Sequence, residues 1–233
     1  MTLHQSPSPP HAAAVIVAAG QSARMEGVDK IFAPLLGIPL LARTLDAFEA
    51  APQIEAIVLV LSEANLERGN ALVKEHRFTK VCAICAGGPR RQDSVWNGLQ
   101  RTPALPWVAV HDGARPCVTS EVITRGLQEA ARYGSAVAAV PVKDTIKVVG
   151  GDGKVQETPE RSKLWAVQTP QIFPRSLLLE ACQRYRDAAV TDDASLMERA
   201  GHTVHVYMGS YANIKVTTSE DMAMAEAILR QRL

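Results

Sequence analysis

The stretch Ala12-Ala13-Ala14-Val15-Ile16-Val17-Ala18-Ala19, closed by Gly20, decides the fold. It is short, uninterruptedly apolar and β-branched at its centre, and it stops at a residue that permits a sharp turn. A strand covered on both faces reads this way, because both alternating sets of side chains must be apolar. Outward from it, Leu40–Ala50 (LLARTLDAFEA) has apolar residues at helical spacing, and Ile54–Leu61 (IEAIVLVL) is a second buried strand, followed by a polar helix from Ser62. Val81–Ala86 is a third strand, Gln92–Gln100 a helix, and Trp107–Val110 a fourth strand. Thr119-Ser120-Glu121 opens a helix with capping chemistry, Gly134 closes it, and Ser135–Val142 is a fifth strand. Repeated strand–helix alternation predicts an α/β fold with a mainly parallel central sheet and helices on both faces.

The rhythm breaks after Val142. Asp144–Val149 alternates polar and apolar, Gly150-Gly151-Asp152-Gly153 is a turn, and Lys154–Glu157 starts a return strand. Leu164–Val167 resumes an extended pattern, so residues from about 143 to 166 read as a β-hairpin arm projecting from the sheet. Helices at Arg175–Arg186 and Asp192–Ala200, strands at Thr203–Met208 and Asn213–Val216, and a helix from Ser219 complete the chain. Residues 12–233 are expected to form one domain, with the Pro/Ser-rich residues 1–11 a flexible tail that lacks the apolar core of a signal peptide.

Composition narrows the function. Of 233 residues, 47% are hydrophobic and the net charge is +1, which suits a globular core and excludes a broadly basic nucleic-acid coat. Aromatics at 5% argue against a stacking platform for single strands. No stretch approaches the apolar length of a membrane helix. Cys82, Cys85, Cys117 and Cys182 read as buried, inert thiols in a reducing, cytoplasmic compartment. Cys82 and Cys85 have CxxC spacing, the mark of a zinc or redox pair, but lie on a strand-like run that sends their sulfurs to opposite faces.

In parallel sheets ligands bind beyond the carboxyl ends of strands, so the loops after Ala19, Ala86 and Val110 should converge. The first, Ala18-Ala19-Gly20-Gln21-Ser22-Ala23-Arg24-Met25 with Lys30 beyond it, can present backbone N–H groups and two cations to a polyphosphate, or carry two solvated surface cations. It is neither a P-loop nor the dinucleotide fingerprint. In the second, Ala86 to Ser94, two glycines allow close approach of a flat ligand and Ser94 can bond a base or sugar, or Gln92 or Asp93 simply caps a helix. The third is His111-Asp112-Gly113-Ala114-Arg115-Pro116. Asp112 at a buried strand end demands a partner, either Mg²⁺ against phosphate oxygens or Arg115 alone. His111 reads as a structural hydrogen-bonder rather than a base.

The ordered blocks AAGxSxRM with a nearby Lys, AGGxxRxDSVxxGL, VHDGARP, PVKDTIK, LWAVQTPQ, TDDAS and NIKVT resemble the 2-C-methyl-D-erythritol 4-phosphate cytidylyltransferase family over nearly the whole chain. The resemblance implies a Rossmann-like nucleotidyltransferase of the glycosyltransferase-A type. It further implies a cytoplasmic homodimer that uses CTP and Mg²⁺ in isoprenoid synthesis, without nucleic-acid or membrane partners. Arg24 and Lys30 match residues that stabilise the transition state. Ala18, Ala19, Gly20, Gly88 and Ser94 match those around the cytidine, and Asp112 the acidic position near metal and acceptor. Arg115, Thr191 and Lys215 match positions around the acceptor phosphate. Thr145 and Arg161 lie on the arm, which in the family reaches the partner's site, where Arg161 and Lys215 would position the attacking phosphate. Two departures stand out: Asp29 beside Lys30, and Glu160-Arg161-Ser162-Lys163, where Lys163 competes with Arg161 for one role. Related enzymes acting on ribitol 5-phosphate share most blocks, and a non-catalytic nucleotide-binding regulator is the remaining alternative.

The chemistry of the residues agrees. A phosphate monoester has a second pKa of about 6, so near pH 7 it is a ready nucleophile that needs no general base. Positioning and charge neutralisation are what remain for the protein to do.

Overall fold

The structure is a computed structural model describing residues 10–20 and 29–232. Residues 1–9 of the expected tail, Arg24 and its neighbours 21–28, and residue 233 lie outside the described residues. The strands are β1 (Ala12–Ala18), β2 (Pro34–Leu35), β3 (Ile38–Pro39), β4 (Ile54–Leu61), β5 (Val81–Ala86), β6 (Trp107–Asp112), β7 (Ala136–Pro141), β8 (Val148–Val149), β9 (Val155–Glu157), β10 (Trp165–Pro174) and β11 (Val206–Met208). The helices are α1 (Leu40–Ala50), α2 (Leu66–Glu75), α3 (Arg91–Leu99), α4 (Ser120–Tyr133), α5 (Arg175–Arg184), α6 (Asp193–Arg199) and α7 (Ser219–Arg230).

Seven strands form one sheet in the order β11-β7-β10-β6-β1-β4-β5. All are parallel except β10, which runs antiparallel between β6 and β7. The period-two reading of the opening stretch is realised side chain by side chain. Ala12, Ala14, Ile16 and Ala18 enter one core with Leu41, Leu45 and Phe48 of α1 and Ile123 and Leu127 of α4. Val15 enters the other with Val95 and Leu99 of α3, Leu178 of α5 and Met197 of α6. Two cores on opposite faces are why β1 carries no polar residue. A fully buried Leu, Ile or Phe side chain contributes about 1.5–3 kcal/mol, so this sheet centre sets the stability of the whole.

Helix ends follow the sequence. Thr119 caps α4 by accepting from Val122 N at 3.4 Å, and Gly134 takes φ +85° at its C-terminus. α3 starts one residue earlier than its apolar spacing suggests, at Arg91, because the Asp93 carboxylate reaches back to the Arg90 N–H at 3.1 Å.

Three expectations are corrected. Asn213–Val216 is not a strand: its backbone bonds singly, Val216 N to Ala114 O at 2.8 Å and Arg115 Nη1 to Asn213 O at 2.7 Å. The extended segment at Leu164–Val167 continues to Pro174 and becomes the antiparallel strand between β6 and β7. Cys82 is exposed, because β5 is an edge strand of the sheet, whereas Cys85, Cys117 and Cys182 are buried. The arm itself is present: β8 pairs antiparallel with β9, and Val142 N bonds Leu164 O at 3.0 Å across its base.

Candidate active site

The carboxyl ends of β1, β4 and β6 open into a cleft of about 680 Å³. Its walls include Ala18, Ala19, Gly20, Lys30, Gly88, Ser94, Asp112 and Lys215. Eight of the residues singled out from sequence thus meet in one cavity. Close approach of two loops makes it possible. A Cβ on Gly87 would lie 2.3 Å from the Ala19 Cβ and 2.6 Å from the Ser94 Oγ. No other residue fits between the first and second loops without displacing one of them. Beneath that loop, Ser94 is buried and its Oγ accepts from Gly88 N at 3.0 Å, so it shapes the backbone that faces the cleft.

Asp112 is the electrostatic centre. It ends β6 and is buried, and its two oxygens have different partners. Oδ1 accepts from Arg91 Nε at 3.2 Å; Oδ2 faces Lys215 Nζ at 2.9 Å and Arg115 Nε at 3.7 Å. Burial works to raise the Asp112 carboxyl, but the charges of Arg91 and Lys215 outweigh it and hold the group well below the ordinary carboxylate range. The expected pairing with Arg115 is therefore one contact of three. Arg91 also reaches Asp193, the first residue of α6, through Nη1 at 2.8 Å.

Lys30 is 8% exposed and begins the short helical turn Lys30–Phe32. Burial, aided by the like charge of Lys215, lowers its pKa, and Asp29 and Asp221 oppose the shift. The Asp29 carboxylate accepts from Asn65 Nδ2 at 2.5 Å and from Ile31 N at 3.4 Å. It thereby caps and anchors the turn that carries Lys30.

His111 faces away from the cleft into the core under Phe48. Its Nδ1 lies 2.9 Å from Thr169 Oγ1 and its Nε2 3.5 Å from Arg115 O. Burial pushes its pKa down to about 3, so the ring is neutral and structural.

The remaining predicted residues lie elsewhere in this chain. Arg115 packs behind Asp112 and holds the Asn213 carbonyl, which steadies the segment presenting Lys215. Thr191 stands before α6 with its hydroxyl 3.2 Å from Ser195 Oγ, outside the cleft lining. Thr145 and Arg161 are exposed on the arm. Arg161 Nη1 bonds Lys143 O at 2.9 Å, whereas Lys163 pairs with Glu160 at 2.7 Å. Sequence reasoning passed over Arg91 and Asp193. Both stand inside quoted blocks, but nothing in the spacing says that residues about a hundred positions apart form one ion pair.

A mainly parallel sheet with cations gathered at its carboxyl edge and a Gly-rich loop against β1 defines an α/β nucleotidyltransferase. The chain belongs to the 2-C-methyl-D-erythritol 4-phosphate cytidylyltransferase family, whose model matches residues 12–231. It is 51% identical to the protein of that name from Dehalococcoides mccartyi strain CBDB1, over 94% of this chain and 96% of that one. The Geobacillus kaustophilus protein of the same name is 46% identical over 94% and 97%. Among solved structures, the 4-diphosphocytidyl-2C-methyl-D-erythritol synthase of Anaerococcus prevotii superposes with a TM-score of 0.84 at 28% identity, over 95% of this chain and 97% of that one. The 2-C-methyl-D-erythritol 4-phosphate cytidylyltransferase of Thermus thermophilus gives 0.77 at 31% identity, over 94% and 99%.

Proposed function

We propose that this chain transfers CMP from CTP to 2-C-methyl-D-erythritol 4-phosphate, releasing pyrophosphate, in non-mevalonate isoprenoid biosynthesis. An oxygen of the acceptor phosphate attacks the α-phosphorus of CTP. That bond forms as the bond from the α-phosphorus to the bridging oxygen of the departing pyrophosphate breaks. The observation that carries the reading is that Lys30 and Lys215 line one cleft, where Lys215, Arg91 and Arg115 surround the Asp112 carboxylate. It matches a reaction between two polyanions that needs charge neutralised and an oxygen aligned.

Lys30, with Arg24, neutralises charge developing on the triphosphate. Lys215 and Arg115 draw the acceptor phosphate toward the α-phosphorus, with Thr191 at its edge. Backbone groups of Ala18, Ala19, Gly20 and Gly88 flank the cytidine, over the loop that Ser94 braces. Among the described residues, the Arg91 hydrogen bond is the one that Asp112 Oδ1 accepts, which leaves a lone pair for a cation. Mg²⁺ is commonly held by one or two carboxylates plus substrate phosphates, so Asp112 fits as its protein ligand. When bound, Mg²⁺ would add charge neutralisation on the phosphates.

The arm supports a homodimer. Ile146, Val148, Val149 and Val155 are each 40% exposed or more on a two-stranded hairpin that is marginal alone. Packing against a second copy would cover them and bring Thr145 and Arg161 to the neighbouring cleft. Four free cysteines fit a cytoplasmic setting. Among the described residues no helix is long and apolar enough to cross a membrane.

The test is pyrophosphate release with CTP and Mg²⁺, in parallel reactions with 2-C-methyl-D-erythritol 4-phosphate, ribitol 5-phosphate or no acceptor. Release that depends on the methylerythritol phosphate is expected. Equal or faster release with ribitol 5-phosphate would move the acceptor assignment, and no release with either would overturn the reading.

A further inference from the structure

Arg91 is the first residue of α3, directly after the loop that faces the nucleotide side of the cleft. Its guanidinium is about one-quarter exposed and forks between two carboxylates on different elements, Asp112 Oδ1 at the end of β6 and Asp193 Oδ2 at the start of α6. Asp193 is 2% exposed, so its charge has little solvent to fall back on. Burial raises its carboxyl, and Arg91 opposes the rise. α6 is locked to the sheet beside this pair. Gln171 of β10 donates from Nε2 to Asp192 Oδ2 at 2.8 Å and accepts at Oε1 from Ala194 N at 2.9 Å. Asp192 in turn accepts from Ser195 N at 2.9 Å and caps the helix behind Thr191. With Lys215 on Oδ2 and Arg91 on Oδ1, both oxygens of Asp112 are fixed, and so is the plane of its carboxylate.

We infer that Arg91 is a positioning residue that ties the nucleotide loop to the segment 191–193 through Asp112 and Asp193, so that acceptor and CTP are held in register for transfer. This rests on the proposed cytidylyl transfer. Only a planar fork reaches both carboxylates at once; a lysine at this position can serve one of them. Arg91 acts through Asp112 and α6, so its loss should spare CTP binding and disturb alignment. Misplacement of reacting groups by an ångström costs on the order of a hundredfold in rate.

The experiment compares wild type, Arg91→Lys, Arg91→Gln and the double variant Arg91→Gln/Asp193→Asn. It measures CTP affinity without acceptor, thermal midpoint, and kcat and KM for the acceptor. Arg91→Gln strands the buried Asp193 charge and is expected to lose stability. The double variant removes both charges and should regain the thermal midpoint. Its CTP affinity should stay within about threefold of wild type, while kcat/KM for the acceptor stays about tenfold to a hundredfold down. Arg91→Lys should fall between it and wild type. A double variant that regains wild-type kcat and KM would show that Arg91 only neutralises Asp193, and would overturn the inference. So would a loss of CTP affinity that accounts for the whole defect. Absence of turnover by wild type itself would instead refute the cytidylyl-transfer reading.

Discussion

His111 sits next to Asp112, the buried carboxylate of the cleft, and turns its ring into the core. The ring is enclosed by Phe48, Thr169 and the Arg115 carbonyl, and its pKa is pushed down to about 3. In the unfolded chain the same group titrates near 6.5. The unfolded state therefore takes up the proton first as pH falls, and the stability contributed above pH 6.5 is lost progressively toward pH 3. At about 1.4 kcal/mol per unit, going from about pH 7 to about pH 4.5 should remove on the order of 2–3 kcal/mol. Asp112, held below the carboxylate range, loses its protective charge only at lower pH, so between about 6 and about 4.5 the loss comes from His111 rather than from Asp112. Urea midpoints across that window should fall steeply in wild type and less in His111→Gln. Equal slopes would place the acid-sensitive group elsewhere. Residues of this kind were legible in the sequence, since a polar group at the end of an apolar strand must be satisfied. Arg91 was not, because its partners are set by tertiary packing rather than by local spacing.

At the scale of elements, alternation was the readable signal. Strands that are apolar on both faces and helices with capping residues appear where their patterns place them. Asn213–Val216 shows the limit: an apolar–polar alternation predicts a strand, but among the described residues no strand pairs with the segment. The antiparallel β10 was hidden because its inner half, Gln168-Thr169-Pro170-Gln171, reads as a polar break. Its side chains satisfy buried groups instead, as where Gln168 Nε2 donates to Ser210 O at 2.8 Å and Gln171 Oε1 accepts from Ala194 N at 2.9 Å. The arm carries the sharpest prediction here. If each arm serves the neighbouring cleft, Arg161→Ala and Lys30→Ala, each reduced about 10²- to 10³-fold, should partly complement when their subunits exchange. One site of the mixed dimer then has both an intact loop and an intact arm. No recovery, with exchange verified by native mass spectrometry, would return Arg161 to its own chain or remove it from the site.

For the whole molecule, the sheet brings loops from distant parts of the sequence to one edge and leaves there a cleft lined by Lys30, Arg91 and Lys215, with Asp112 paired to the last two. The sequence pointed to the edge because parallel strands bind ligands beyond their carboxyl ends. The network behind the edge, from Arg91 through Asp193 to α6, became visible only in three dimensions. The central claim is that a phosphate oxygen, not a hydroxyl or water, attacks CTP. Phosphorus NMR of a reaction containing the protein, CTP, Mg²⁺ and 2-C-methyl-D-erythritol 4-phosphate tests it directly. The acceptor's monoester signal should disappear as two mutually coupled signals of a diphosphate bridge and an equal amount of pyrophosphate appear. CMP and pyrophosphate beside an unchanged monoester signal would mean that water is the acceptor. A new phosphodiester signal with the monoester retained would mean that a hydroxyl attacks, and either result would contradict the account.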